Sequence, residues 1–119
     1  MTELQIRISH MEGKVPVAVL HVSGDVDAST HQELDTKAAE IINEGAKHIL
    51  LDLTDNGFMS SAGFRSMHKI YSALKSSEDE SSGLKLLNPS DEVKRLLKAM
   101  GFDKYFTLHS DLSEAVNSF

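Results

Sequence analysis

The run His48-Ile49-Leu50-Leu51-Asp52-Leu53 constrains this chain more than any other segment. A continuous apolar stretch of strand length, without alternation, suits a strand covered on both faces, as central strands of parallel sheets are. Parallel neighbours need crossover connections, so helices must lie on either side of the run in sequence.

The flanks supply them. Thr30-His31-Gln32-Glu33 reads as a capping box, followed by Leu34, Ala38, Ile41 and Ile42 at helical spacing and Gly45 at the end. After the run, Thr54 to Ser60 reads as a loop, and Phe64, Met67, Ile70, Tyr71 and Leu74 form the apolar stripe of a second helix. Leu84 to Leu87 is a short buried strand. Pro89 and Ser90 open a third helix carrying Val93, Leu96, Leu97 and Met100, closed by Gly101. Tyr105 to Leu108 reads as an edge strand, and Asp111 with Glu114 as the capping box of a last helix bearing Leu112, Ala115, Val116 and Phe119.

At the start, Leu4, Ile6 and Ile8 alternate with polar residues, and Val15 to Val22 is rich in β-branched residues. Between them Met11-Glu12-Gly13-Lys14 reads as a hairpin turn, with Gly13 supplying permissive backbone angles. The predicted order is β-β-α-β-α-β-α-β-α. It describes one α/β domain over residues 1–119, with a mainly parallel sheet of about four or five strands, an N-terminal hairpin and about four helices. The acidic, Ser-rich segment Ser76 to Gly83 reads as a solvated loop.

Composition narrows the chemistry. Net charge is −6 with no Lys/Arg-rich cluster, which argues against a nucleic-acid partner. Cysteine is absent, removing disulfides, thiolate nucleophiles and Cys-based metal sites. The uncharged stretch Val15 to Gly24 is too short to span a bilayer, and no basic leader precedes it, so the chain reads as cytoplasmic with no membrane role. His10, His21, His31, His48, His68 and His109 are scattered without an i, i+4 pair, so no metal site is expected and each reads as a surface or strand-end residue. No phosphate-binding loop is present, and Gly57-Phe58-Met59-Ser60-Ser61-Ala62-Gly63 fails as a nucleophile elbow, because Met59 stands where Gly is required. Neither a cofactor nor a catalytic residue is expected.

Asp52 ends its strand as the phosphoacceptor of a receiver domain does, and Asp25 and Asp27 supply an acidic pair. The N-terminal hairpin is foreign to that order, so phosphorylation of Asp52 is the distant alternative. The stretch from Leu50 to Arg65 carries more information. It places Ser60 and Ser61 where a strand and loop lead into a helix N-terminus, which presents free amides and a positive dipole end. A serine there is either an N-cap or a good phosphoacceptor.

That stretch resembles the signature of STAS domains, and of anti-sigma factor antagonists in particular. Val22-Ser23-Gly24-Asp25-Val26-Asp27 is similar to the family's turn after the second strand. Leu86 to Leu97 is similar to its strand-to-helix passage, and Met100-Gly101-Phe102-Asp103-Lys104-Tyr105-Phe106 to the continuation. The resemblance covers nearly the whole chain in order. It implies a non-enzymatic binding switch whose partner is an anti-sigma factor with Ser/Thr protein kinase activity, reversed by a Ser/Thr phosphatase. By motif register it assigns phosphorylation to Ser61 and partner binding to Asp27, Ser60, Ser61 and Gly63. Many antagonists carry Asp immediately before the phosphorylated Ser, where this chain has Ser60. A STAS scaffold in another signalling assembly, without sigma control, is the other reading.

Overall fold

The computed structural model describes residues 4–75 and 83–119. In chain order these form β1 (Gln5–Glu12), β2 (Pro16–Val26), α1 (His31–Asn43), β3 (His48–Met59), α2 (Ser61–Lys75), β4 (Gly83–Leu87), α3 (Asp91–Ala99), a 3-10 turn (Phe102–Lys104), β5 (Thr107–His109) and α4 (Leu112–Asn117). The strands make one sheet in the order β1-β2-β3-β4-β5. β1 and β2 pair antiparallel, and every other pairing is parallel. The α/β architecture read from the sequence is borne out, with Leu50 in the middle strand.

Residue parity divides the core. Leu20 and Val22 of β2, Ile49 and Leu51 of β3 and Leu86 of β4 turn to one face, where Leu34, Phe64, Met67 and Leu97 of the longer helices cover them. Val17 and Val19 of β2, Leu50 and Leu87 turn to the other face, beneath Ala115 and Val116 of α4. Leu50 is fully buried, as a central strand residue should be. The six-residue α4 is short, so the far end of its face carries polar side chains: His21 on β2 and its register partner Asp52 on β3.

Five local expectations change. Thr30 makes no side-chain cap; its hydroxyl is engaged with the loop before α1, so the Thr30–Glu33 capping box does not form. The glycines at positive φ are Gly24, Gly45 and Gly101, whereas Gly13 is needed for close approach: a Cβ there would lie 2.6 Å from the Val116 carbonyl oxygen. The expected loop from Thr54 continues β3 to Met59. Finally, the edge strand begins at Thr107, leaving Tyr105 outside it, and Met100 leaves the apolar stripe with 40% exposure. By contrast, Ser90 caps α3 by accepting the Val93 amide at 3.1 Å, and Asp111 caps α4 by accepting that of Glu114 at 3.1 Å. The acidic stretch 76–82 lies outside the described residues.

Candidate functional site

The C-terminal end of β3 is built from residues that favour turns, and side chains hold it in the sheet. Its register with β2 runs His21↔Asp52, Ser23↔Asp55, Gly24↔Asn56 and Val26↔Met59, so β3 carries an extra residue in two places. Asn56 Nδ2 donates to the Gly24 carbonyl at 2.9 Å, and the Phe58 amide donates to Asp25 Oδ1 at 2.9 Å. Gly57 makes the second contact possible, because a Cβ there would lie 2.6 Å from that same oxygen.

The strand then runs directly into α2. The Ser60 amide donates to the Val26 carbonyl at 2.9 Å, and the Ser60 carbonyl accepts the Phe64 amide at 3.2 Å. Ser60 therefore stands one residue ahead of the helix, with its hydroxyl oxygen buried and without a hydrogen-bond partner. Ser61 is the first helical residue and is exposed. Ala62, Gly63 and Phe64 turn inward. A Cβ on Gly63 would lie 2.6 Å from Met59 Cγ and 3.0 Å from Val26 Cγ1, so this glycine sets how closely α2 approaches β2 and β3. Arg65, one helical turn beyond Ser61, is exposed, and Phe58 beside the site is 49% exposed.

Asp27 organises the neighbouring turn from β2 into α1. Its Oδ1 accepts the Ser29 amide at 2.9 Å and the Ser29 hydroxyl at 2.8 Å. Its amide donates to the Thr30 hydroxyl at 2.9 Å, which in turn donates to the Asp25 carbonyl at 2.9 Å. The Ser29 hydroxyl and amide hold the Asp27 carboxyl below its ordinary value of 3.8. The Ser60–Val26 bond thus ties the start of α2 to the residue before Asp27. Asp27, Ser60 and Ser61 share one end of the sheet, with Gly63 buried behind them. Asn56 and Gly57, which help frame this end, were not singled out in the sequence because they favour turns, and Asp25, read there as half of an acidic pair, instead accepts the Phe58 amide.

Asp52 lies elsewhere, on the face that α4 leaves open. Its Oδ1 accepts the Thr54 amide at 3.0 Å and the Thr54 hydroxyl at 2.6 Å, while Oδ2 faces His21 Nδ1 at 2.7 Å. His21 Nε2 in turn lies 2.9 Å from Ser9 Oγ. Both carboxylate oxygens are thereby occupied, and Asp25 and Asp27 are committed to amides and hydroxyls. The receiver-like reading of Asp52 finds no acidic cluster to support it. Among the described residues, no group of three or more His, Asp or Glu is placed to hold a metal ion. No described helix is long and apolar enough to cross a membrane.

The family model described as STAS domain matches residues 9–115. The chain belongs to the STAS family. A curated relative of this STAS chain, the anti-sigma-F factor antagonist RsfB of Mycobacterium tuberculosis, is 28% identical over 100 residues, which cover 84% of the chain and 79% of the relative. Solved structures share the fold. The crystal structure of an anti-sigma factor antagonist from Mycobacterium paratuberculosis superposes with a TM-score of 0.79 at 22% identity, covering 98% of this chain and 93% of that one. The phosphorylated form of the Bacillus cell fate determinant SpoIIAA superposes with a TM-score of 0.73 at 17% identity, covering 96% of this chain and 98% of that one.

Proposed function

We propose that this STAS chain is an anti-sigma factor antagonist that acts in the cytoplasm by binding rather than by turnover. Its partner is an anti-sigma factor with Ser/Thr kinase activity, and phosphorylation of Ser61 switches binding off until a Ser/Thr phosphatase restores it. The observation that carries this reading is the exposed Ser61 at the first position of α2, tied through Ser60 to the turn that Asp27 organises. Free amides and the dipole at a helix N-terminus favour an added phosphate. Arg65 follows at the i, i+4 spacing that brings side chains together on a helix surface.

Asp27, Ser60 and exposed Phe58 form the surface around the switch, and buried Gly63 contributes by seating α2. Across a partner interface the phosphate would have to lose water or face carboxylates such as Asp27. A penalty of about 3 kcal/mol weakens binding more than a hundredfold, at roughly tenfold per 1.4 kcal/mol. Ser60 is the poorer phosphoacceptor because its hydroxyl is buried.

The test is a titration of the purified kinase partner against the unmodified protein, its phosphorylated form and Ser61→Ala, with phosphosites mapped by mass spectrometry. Phosphate on Ser61 and tight binding by only the unmodified and Ala forms support the switch. Phosphate on Ser60 moves the switch by one residue. Equal affinity of phosphorylated and unmodified protein overturns it and favours a STAS scaffold in another assembly.

A further inference from the structure

Three neighbouring strands bring Ser9, His21 and Asp52 into one hydrogen-bonded chain on the sheet face opposite the longer helices. Ser9 comes from β1, His21 from β2 and Asp52 from β3, and the pairings Arg7↔His21 and His21↔Asp52 set their alignment. The order of contacts is that of a serine activated by an imidazole. Asp52 Oδ2 lies 2.7 Å from His21 Nδ1, and His21 Nε2 lies 2.9 Å from Ser9 Oγ. Thr54 occupies Oδ1 of Asp52 through two bonds, which orients Oδ2 toward the ring. An ionised carboxylate at Nδ1 favours the proton on that nitrogen, and in the tautomer so selected Nε2 carries the lone pair that can accept from the Ser9 hydroxyl.

The geometry points to Ser9 as a second reactive serine, an acceptor of acyl groups from activated esters, with His21 as general base and Asp52 as the positioning residue. The arrangement is recognised by its roles and distances, independent of fold. Ser9 is half-buried, the His21 and Asp52 side chains are 17% and 15% exposed, and a cleft of about 230 Å³ lined by Arg7, His21, Ser23 and Asp52, though not by Ser9 itself, opens beside the imidazole. In the step, Ser9 Oγ bonds to the carbonyl carbon of the ester while its proton passes to His21 Nε2. The bond from that carbon to the leaving oxygen then breaks with its electron pair, and His21 returns the proton to that oxygen. One acyl group is acquired per chain, and Ser61 takes no part.

A fluorophosphonate tests this directly, because its phosphorus replaces the carbonyl carbon and fluoride leaves as Ser9 gives up its proton. Intact-mass measurement with peptide mapping reads the adduct, and circular dichroism checks the fold of each variant. The expected result is one adduct on Ser9, absent in Ser9→Ala and formed about a hundredfold more slowly in His21→Ala, a typical general-base contribution. Asp52→Asn keeps the side-chain shape and guards against a folding artefact; it should also slow labelling at least about tenfold, consistent with loss of that assistance. An unlabelled Ser9 in folded wild-type protein overturns the proposal. So does an equal rate in wild type and Asp52→Asn.

Discussion

Hydrogen-bond donors hold two carboxyls, Asp27 in the turn after β2 and Asp52 within β3, below their ordinary value of 3.8. At Asp27 the Ser29 hydroxyl and amide do so in a turn open to water. At Asp52 burial opposes ionisation, and the Thr54 hydroxyl, the Thr54 amide and then His21 outweigh it. The folded Asp52 carboxyl therefore binds a proton less readily than the unfolded one. Its stabilising contribution is complete above pH 3.8 and is lost as pH falls through the lower folded value. Hydrogen bonds to a charged group contribute about 1.5–3 kcal/mol, and solvent screening at this half-buried position reduces that to about 1 kcal/mol. Asp52→Asn should lower urea-unfolding stability by that amount at neutral pH, and the gap from wild type should narrow below pH 3.8. A gap unchanged at acid pH would assign the loss to packing instead of ionisation.

At the scale of elements, α2 is seated on the sheet by a glycine. A Cβ at Gly63 meets Met59 Cγ at 2.6 Å and Val26 Cγ1 at 3.0 Å, so Gly63→Ala must lift the helix or displace Met59. Overpacking of this kind costs about 1–3 kcal/mol. Denaturant unfolding should show that loss, and kinase modification of Ser61 should slow because the start of the helix moves with it. Stability equal to wild type would mean that Met59 repacks freely. Most elements here were legible because their signals are local. An apolar run marks β3, stripes at helical spacing mark α1 and α2, and Ser90 and Asp111 mark two helix starts. The extension of β3 was not legible, since Thr54-Asp55-Asn56-Gly57 favours a turn in isolation. Asn56 and Asp25 overrule that preference through bonds spanning 32 and 33 residues. Which serine precedes α2 was likewise open until the bond from the Phe64 amide to the Ser60 carbonyl placed Ser61 inside the helix. The Ser9–His21–Asp52 chain was invisible for the same reason. Its contacts span 12 and 31 residues, and only strand register aligns them.

Across the whole molecule, the contact between the hairpin turn and α4 and the features assigned to switching lie at opposite ends of β2. The hairpin turn precedes Pro16, and there Gly13 packs beneath the α4 backbone, joining the beginning of the chain to its end. The Asp27 turn and Ser61 lie beyond Val26. Two substitutions should therefore separate stability from binding. Gly13→Ala places a methyl 2.6 Å from the Val116 carbonyl oxygen, which backbone cannot yield cheaply, so α4 must shift off Val17, Val19 and Leu50. A stability loss of about 1–3 kcal/mol is expected by the overpacking argument, with partner affinity unchanged where the protein remains folded. Ser61→Asp should do the reverse. A carboxylate in the first turn of a helix interacts favourably with its dipole by about 0.3–1 kcal/mol, so the melting temperature should hold or rise slightly. The same charge at the partner surface should weaken binding toward the level of the phosphorylated protein. Melting curves and partner titrations on both variants read the two axes independently. If Gly13→Ala weakened binding as strongly as Ser61→Asp, the two ends of the sheet would be coupled through the strands, and Ser61 would no longer act as a local charge switch.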